Sequence, residues 1–408
     1  MKKLILLALL MSVLAWGAEA QDSGISFVGS KEWKKIVRKA KKEKKLIFVD
    51  CYTSWCGPCR MLARDVFTLD SVGDYFNRTF INAKMDMEKD VDGVMLKKRY
   101  EVKAFPTLLF IDPGTGEWVH RMVGAGDPAW LLAGARQAND PLKNLSVLTR
   151  RYTEGERGEK FMSDYLTALS GAYMGSELAE AAEDYLGKLD IGQLAQKNNW
   201  EMVKLYLHDP LTGPLRKVMA GRERLGRQLG REEVDRKLSQ SIDQGVQALT
   251  RWRLEGNQPF DEDRNVRFIE YLRHVDFETA PAALARLYTA GYVRKADFRG
   301  LLDKMKEVSA YNLFRNNAWN AYFMENMEAL KACSDKSLVE EGIRWIGEEC
   351  AATPDEFTKA DLMSLKARLQ EHIGDAAGAV KSRELEQKYA AEGMKKNGGK
   401  VVRAFRMN

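Results

Sequence analysis

The apolar positions of this chain change period once. Between residue 25 and about 140, short β-rich runs alternate with amphipathic stretches. Over 31–44, Trp33, Ile36, Val37 and Ala40 repeat at the i, i+3, i+4 spacing of a helix with one buried stripe. That stretch leads into LIFVDCY, a continuous apolar run of the kind buried at the centre of a sheet. The pattern then predicts a helix from Cys59 through Val66, a strand in FINAKMDM and a short helix in VDGVMLKKRY. A strand in PTLLFID, a PGTG turn and a fourth strand in EWVHRMVG follow. Asp127-Pro128 opens a last helix through AWLLAGARQA, with Asp127 as N-cap and Pro128 at the first helical position. The order β-α-β-α-β-β-α predicts an α/β fold, a small mixed sheet flanked by helices.

From about 141 the strand signal stops. Segments such as EKFMSDYLTALSGAYM, EEVDRKLSQSIDQGVQAL and SLVEEGIRWIGEEC carry helical apolar spacing between short Gly, Pro or Asp turns. The pair of helical stretches joined at Gly374-Asp375 is similar to one unit of a tetratricopeptide-like repeat, although no 34-residue period runs through the region. The expected organisation is an α/β domain over 21–140, an all-helical domain over 141–395 and a flexible tail over 396–408.

The first twenty residues have the form of a targeting segment. Lys2 and Lys3 precede the apolar run LILLALLMSVLAWG, and Ala18-Glu19-Ala20 fits a small-x-small cleavage site. The run is short for a membrane span, so the expectation is an exported, periplasmic protein cleaved near Ala20, with no stable membrane insertion afterwards. Net charge is +6 with 30% charged residues, mildly basic and well mixed. The run KKIVRKAKKEKK at 34–45 has the charge of a nucleic-acid or anionic-lipid patch but reads first as the solvated face of the first helix, and nucleic acid is not an expected partner.

Export bears on the cysteines. Disulfides persist outside the cytosol, but Cys51, Cys56, Cys59, Cys333 and Cys350 are too few to staple a fold of this length. Three readings compete for Cys56 and Cys59. Structural zinc needs four ligands, and His120, His208, His274 and His372 are scattered, so no metal site is expected. A structural disulfide closing so small a loop contributes little stability. A pair that cycles between dithiol and disulfide fits its surroundings better. With Cys56 at a helix N-terminus, free N–H groups and the macrodipole favour its thiolate, and Pro58 is tolerated in the first turn. Cys59, one turn in and more buried, would then resolve the mixed disulfide formed when Cys56 attacks. Trp55 beside the nucleophile offers a substrate-contact surface. Cys51 reads as a small buried hydrophobe. Whether Cys333 and Cys350 pair is open at this level, because pairing requires their Cα atoms within about 7 Å.

FVDCYTSWCGPC resembles the active-site strand and loop of the thioredoxin superfamily, and AFPTLLFID resembles that family's cis-proline segment. The resemblance covers 25 to about 137. It implies a thioredoxin fold, redox chemistry at Cys56 and Cys59, and substrate contact at Gly57 and Pro58. It also implies a cis Pro106 facing the cysteines, with the Phe105 backbone pairing with substrate. Asp50, six residues before Cys56, matches a buried carboxylate that assists deprotonation of the second cysteine, and Lys84 matches the lysine beside it. Gly124 matches a glycine that lets substrate approach. The stretch RDVFTLDSVGDYFNRTFINAKMDMEKD is longer than in minimal thioredoxins and more similar to exported relatives.

The expected function is a periplasmic thiol–disulfide oxidoreductase acting on protein disulfides, without a cofactor. The Gly-Pro dipeptide resembles the reducing members of the superfamily, and no histidine lies between the cysteines. A reductase is therefore expected before an oxidase or isomerase, with a membrane electron relay as the implied reductant. The alternative is a helical client- or partner-binding module that carries a thioredoxin domain.

Overall fold

A computed structural model describes residues 24–29, 32–252, 260–314 and 317–397. The expected targeting segment, and the expected tail from 398 onward, lie outside the described residues. The first elements are α1 (Trp33–Glu43), β1 (Leu46–Tyr52), α2 (Gly57–Met61) continued by a π-helical turn (Leu62–Val66), and α3 (Asp70–Thr79). There follow β2 (Phe80–Asp86), α4 (Val91–Arg99), β3 (Thr107–Ile111), β4 (Trp118–Val123) and α5 (Pro128–Asn139).

The sheet order is β2-β1-β3-β4. β1 runs parallel to β2, pairing Asp50 with Lys84, and antiparallel to β3, pairing Cys51 with Thr107. A central strand covered on both faces needs apolar residues at nearly every position, which is why LIFVDCY carries no clean alternation. Its side chains still alternate in direction. Ile47, Val49 and Cys51 join the α1 and α4 layer, with Trp33, Ile36, Ala40, Leu96 and Tyr100. Phe48 joins the opposite layer, with Leu62, Val66, Phe76, Phe110, Leu131 and Ala135. There Phe48 meets Phe76 edge-on at 4.8 Å between ring centroids. By the same alternation Asp50 lies on the Phe48 side of the sheet, the side covered by the helical run that starts at the cysteines.

Two local expectations are revised. The helix after the cysteines starts at Gly57, not Cys59, and widens into a π-helical turn at Leu62–Val66. The helix α3 was not anticipated: its buried stripe is only Val72, Gly73 and Phe76, and Gly73 sits where an added Cβ would be 2.1 Å from the Gly24 carbonyl oxygen. Asp127 caps α5 as expected, its carboxylate accepting the Trp130 N–H at 2.7 Å.

Beyond α5 the described chain is all helical: α6 (Leu145–Thr153), α7 (Glu159–Gly171), α8 (Gly175–Lys188), α9 (Ile191–Leu194) and α10 (Lys197–Tyr206). Strands stop near residue 140, but compactness does not part there. One compact unit ends at Leu207 and a second begins at His208. In the first unit, α6 and α7 pack against β4, the edge strand of the sheet. Leu145 and Leu148 are buried, and the Leu145 N–H donates to His120 Nδ1 of β4 at 3.2 Å.

The second unit contains α11 (Gly213–Ala220), α12 (Arg222–Leu229), α13 (Arg231–Thr250), α14 (Glu262–His274), α15 (Ala280–Arg294) and α16 (Phe298–Ala310). α17 (Asn317–Glu328), α18 (Lys336–Ala352), α19 (Glu356–His372) and α20 (Ala376–Lys396) complete it. α19 and α20 form an antiparallel hairpin turned at Gly374, whose φ of +83° suits glycine, and Lys396 closes its open end on Glu356 at 2.8 Å. Leu301, Met305, Phe323, Leu330, Ile346 and Leu365 centre its core.

Candidate redox site

β1 delivers the chain through Thr53–Trp55 to Cys56, which caps α2. The Cys56 sulfur accepts the Cys59 N–H at 3.1 Å, so the polarity expected at a helix start is aimed at this atom. Pro58 occupies the first turn without cost, since its missing N–H would have no helical partner there. Cys56 and Cys59 are joined as a disulfide, with Cα atoms 5.3 Å apart. The expected difference in burial is not seen: the two residues are 3% and 4% exposed.

The carboxylate of Asp50 is buried, and Lys84 Nζ stands 3.6 Å from its Oδ2. Burial pushes its pKa up to about 6, and the Lys84 ammonium only partly offsets this. Lys84 is itself held over the Tyr52 ring, 4.8 Å from the centroid. The pairing of β1 with β2 in this register brings the two residues side by side. Cys51 points to the other sheet face, where burial pushes its thiol well above the usual range.

The Phe105–Pro106 bond is cis, and the Pro106 carbonyl accepts the Gly124 N–H at 2.9 Å. Gly124 has φ +99°, and a side chain added there would meet nothing within 4 Å. Backbone conformation, not crowding, calls for glycine. Trp55 is 65% exposed and edge-on to Phe105, with ring centroids 6.0 Å apart.

Two residues missed by sequence reasoning complete this rim. Glu88 accepts the Trp55 indole N–H at 2.8 Å. Lys97 stands 3.8 Å from Glu88 and 5.3 Å from the Phe105 ring centroid. The available signal was positional: Glu88 lies two residues beyond the end of β2, and that end pairs with the end of β1 (Tyr52 with Asp86). Strand register, which brings Glu88 to the cysteine end of the sheet, is not legible in a single run of residues.

No group of His, Cys, Asp and Glu suited to a metal ion occurs among the described residues. Cys333 and Cys350 are free thiols, buried in the core of the second unit. That unit also has an open cleft of about 780 Å³ lined by Arg216, Met219, Val266, Arg267, Tyr271 and His274, among others.

The thioredoxin family model matches residues 25–136. Thioredoxin H2 of Arabidopsis thaliana is 32% identical over 113 residues, 27% of this chain and 77% of that protein. Thioredoxin H4 of the same plant is 35% identical over 94 residues, 23% of this chain and 71% of its own. A solution structure from Bacteroides thetaiotaomicron, provisionally named a disulphide-isomerase, is 48% identical over 30% of this chain and 98% of its own, with a TM-score of 0.27. The chain belongs to the thioredoxin family: it is a thiol–disulfide oxidoreductase whose thioredoxin fold is followed by a helical extension.

Proposed function

We propose that this protein is an exported, periplasmic protein-disulfide reductase. The observation that carries the reading is the Cys56–Cys59 pair at the start of α2, just beyond β1, whose buried Asp50 pairs across to Lys84 on β2. In the dithiol state the Cys56 thiolate attacks one sulfur of a client disulfide, forming a mixed disulfide and releasing the client's other sulfur as a thiolate. Asp50, with Lys84 beside it, takes the proton from Cys59. The Cys59 thiolate then attacks Cys56 sulfur, closes the Cys56–Cys59 bond and releases the second client thiol. Two electrons pass to the client. A two-electron reductant must restore the dithiol, and for an exported protein we assign that role to a membrane electron relay.

Trp55, Gly57, Pro58, Phe105, Pro106 and Gly124 would frame the client segment, with Glu88 fixing the Trp55 indole. The Gly-Pro dipeptide favours the reducing direction over oxidase or isomerase activity. The test is the reduction potential of the couple. A value near about −270 mV supports a reductase, and a value near about −120 mV makes the protein a disulfide donor instead. Replacing Cys59 with Ser should trap the client on Cys56 as a stable mixed disulfide, visible by non-reducing electrophoresis. Trapping through Cys59 in the Cys56→Ser variant would reverse the assigned order.

The cleft beside α11 and α14 favours one addition to this reading, client capture by the helical extension. Its lining offers apolar surface from Met219, Val266 and Tyr271 among charges of both signs, Arg216 and Arg267 beside Glu223 and Glu270. If Val266→Asp leaves small-disulfide turnover intact but raises KM for protein clients, the extension selects clients. An unchanged KM removes this role.

A further inference from the structure

α1 holds the chain's charge imbalance. Residues 32–45 carry eight basic and two acidic side chains, so this one segment accounts for the whole formal net charge of +6. Trp33, Ile36 and Ala40 face the sheet. Lys34, Lys35, Arg38, Lys39, Lys41 and Lys42 are all exposed. Among the described residues, Glu32 pairs with Lys35 and Glu43 with Lys45. The remaining cations of the outer face have no acidic counterpart of comparable number.

A second observation lies beside it. α4 covers the same sheet face as α1, since Leu96 and Tyr100 share a core cluster with Trp33, Ile36 and Ala40. The two helices are tied at their starts, where the Trp33 N–H donates to Asp92 at 2.6 Å. The outer side of α4 is apolar: Val91 is 87% exposed, Val94 50% and Met95 44%. These positions stand at i, i+3 and i+4, so they form one stripe. Exposed Lys98 extends the basic character along that helix.

We propose that this α1–α4 layer is a docking surface for an anionic lipid bilayer. A row of cations beside an exposed apolar stripe is the arrangement that holds a protein at a membrane interface, headgroups meeting the charges and the aliphatic side chains entering the boundary. Lysine supplies nearly all the charge, and lysine acts as a point charge toward headgroups without the planar fork that selects particular phosphates or bases. The attachment is peripheral, and no described helix is long and apolar enough to cross a membrane. The inference stands on charge and exposure, and does not depend on the redox direction proposed above. If both hold, docking keeps the protein at the membrane that carries its reductant.

The experiment is vesicle co-sedimentation with the chain beginning at Gln21, so that the apolar leader contributes nothing. Vesicles are phosphatidylcholine, alone or with about one third phosphatidylglycerol. The expected result is binding to the anionic vesicles only, weakening steeply from low salt to ~0.15 M. The Lys34→Glu/Arg38→Glu/Lys41→Glu/Lys42→Glu variant should bind several hundredfold more weakly at low salt, since each lost cation counts for roughly fivefold. Val91→Asp/Val94→Asp should weaken binding at fixed salt. Both variants keep the wild-type melting temperature and small-disulfide turnover, which separates failure of docking from failure of the redox site. Equal binding to neutral vesicles, or undiminished binding by the α1 variant, overturns the proposal. So does equally tight binding to a nucleic-acid duplex or an acidic polypeptide with no effect of Val91→Asp/Val94→Asp, which would mark a general polyanion surface.

Discussion

Asp50 is a carboxylate held where water cannot reach it, and its properties as an acid and as a burden on the fold have the same origin. Burial raises its pKa to about 6 because the ion loses its hydration and Lys84, 3.6 Å away, returns only part of it. A base with a pKa near the working pH can take a proton from a thiol and give it up again. Replacing Asp50 with Asn should therefore slow resolution by Cys59 about a hundredfold or more, so that the mixed disulfide on Cys56 accumulates in quench-flow samples. Unchanged resolution would remove the proton-transfer role. The same substitution should stabilise the protein at pH 7. A folded pKa of about 6 against 3.8 means that folding is favoured below pH 4 and penalised as pH rises through 6. The penalty at neutral pH is on the order of 3 kcal/mol. The midpoint of thermal unfolding should accordingly rise for Asp50→Asn at pH 7 and converge with wild type near pH 4.

At the scale of elements the opposite titration appears in β4. His120 is buried, and burial lowers its pKa from 6.5 to about 4 while its Nδ1 accepts the first N–H of α6. Here unfolding takes up a proton between pH 6.5 and 4, so this contribution is intact above 6.5 and lost as pH falls toward 4. Between pH 4 and 6 the slopes from Asp50 and His120 oppose each other. The two single variants should each expose the slope of the other. Asp50→Asn loses stability on acidification, and His120→Gln, which keeps an acceptor for the Leu145 N–H, gains it. Parallel pH–stability curves for the two variants would show that neither group titrates as described. None of this coupling is visible in the strand EWVHRMVG, where His120 is one of several polar residues. The strands themselves, the cap at Asp127 and the cysteine loop were legible, because apolar runs and caps are local properties. Glu88, Lys97 and α3 were not. The first two depend on strand register, and α3 depends on Gly73 packing against Gly24, which no hydrophobic period records.

For the whole molecule, the change of period near residue 140 marks the end of the strands, while the compact unit extends to Leu207. The reason is the edge of the sheet: among the described residues β4 has β3 on one side only, and α6 and α7 pack against it. Hydrophobic periodicity shows that 145–206 is helical, but it cannot show which strand those helices cover. The consequence is a prediction about where the chain can be cut. A fragment over 21–207 should unfold cooperatively and exchange a small disulfide at the rate of the intact protein. A fragment ending at Asn139 loses buried Leu145 and Leu148 and leaves His120 without its N–H donor. Burying each leucine contributes about 1.5–3 kcal/mol, against a total domain stability of roughly 5–15 kcal/mol. The shorter fragment should melt well below the longer one and expose apolar surface to a fluorescent hydrophobic dye, although all of its sheet and both cysteines are present. Equal melting temperatures would show that α6 to α10 are passengers on a self-sufficient thioredoxin fold. A lower one would make the first helices of the extension part of the machine that holds the cysteines in place.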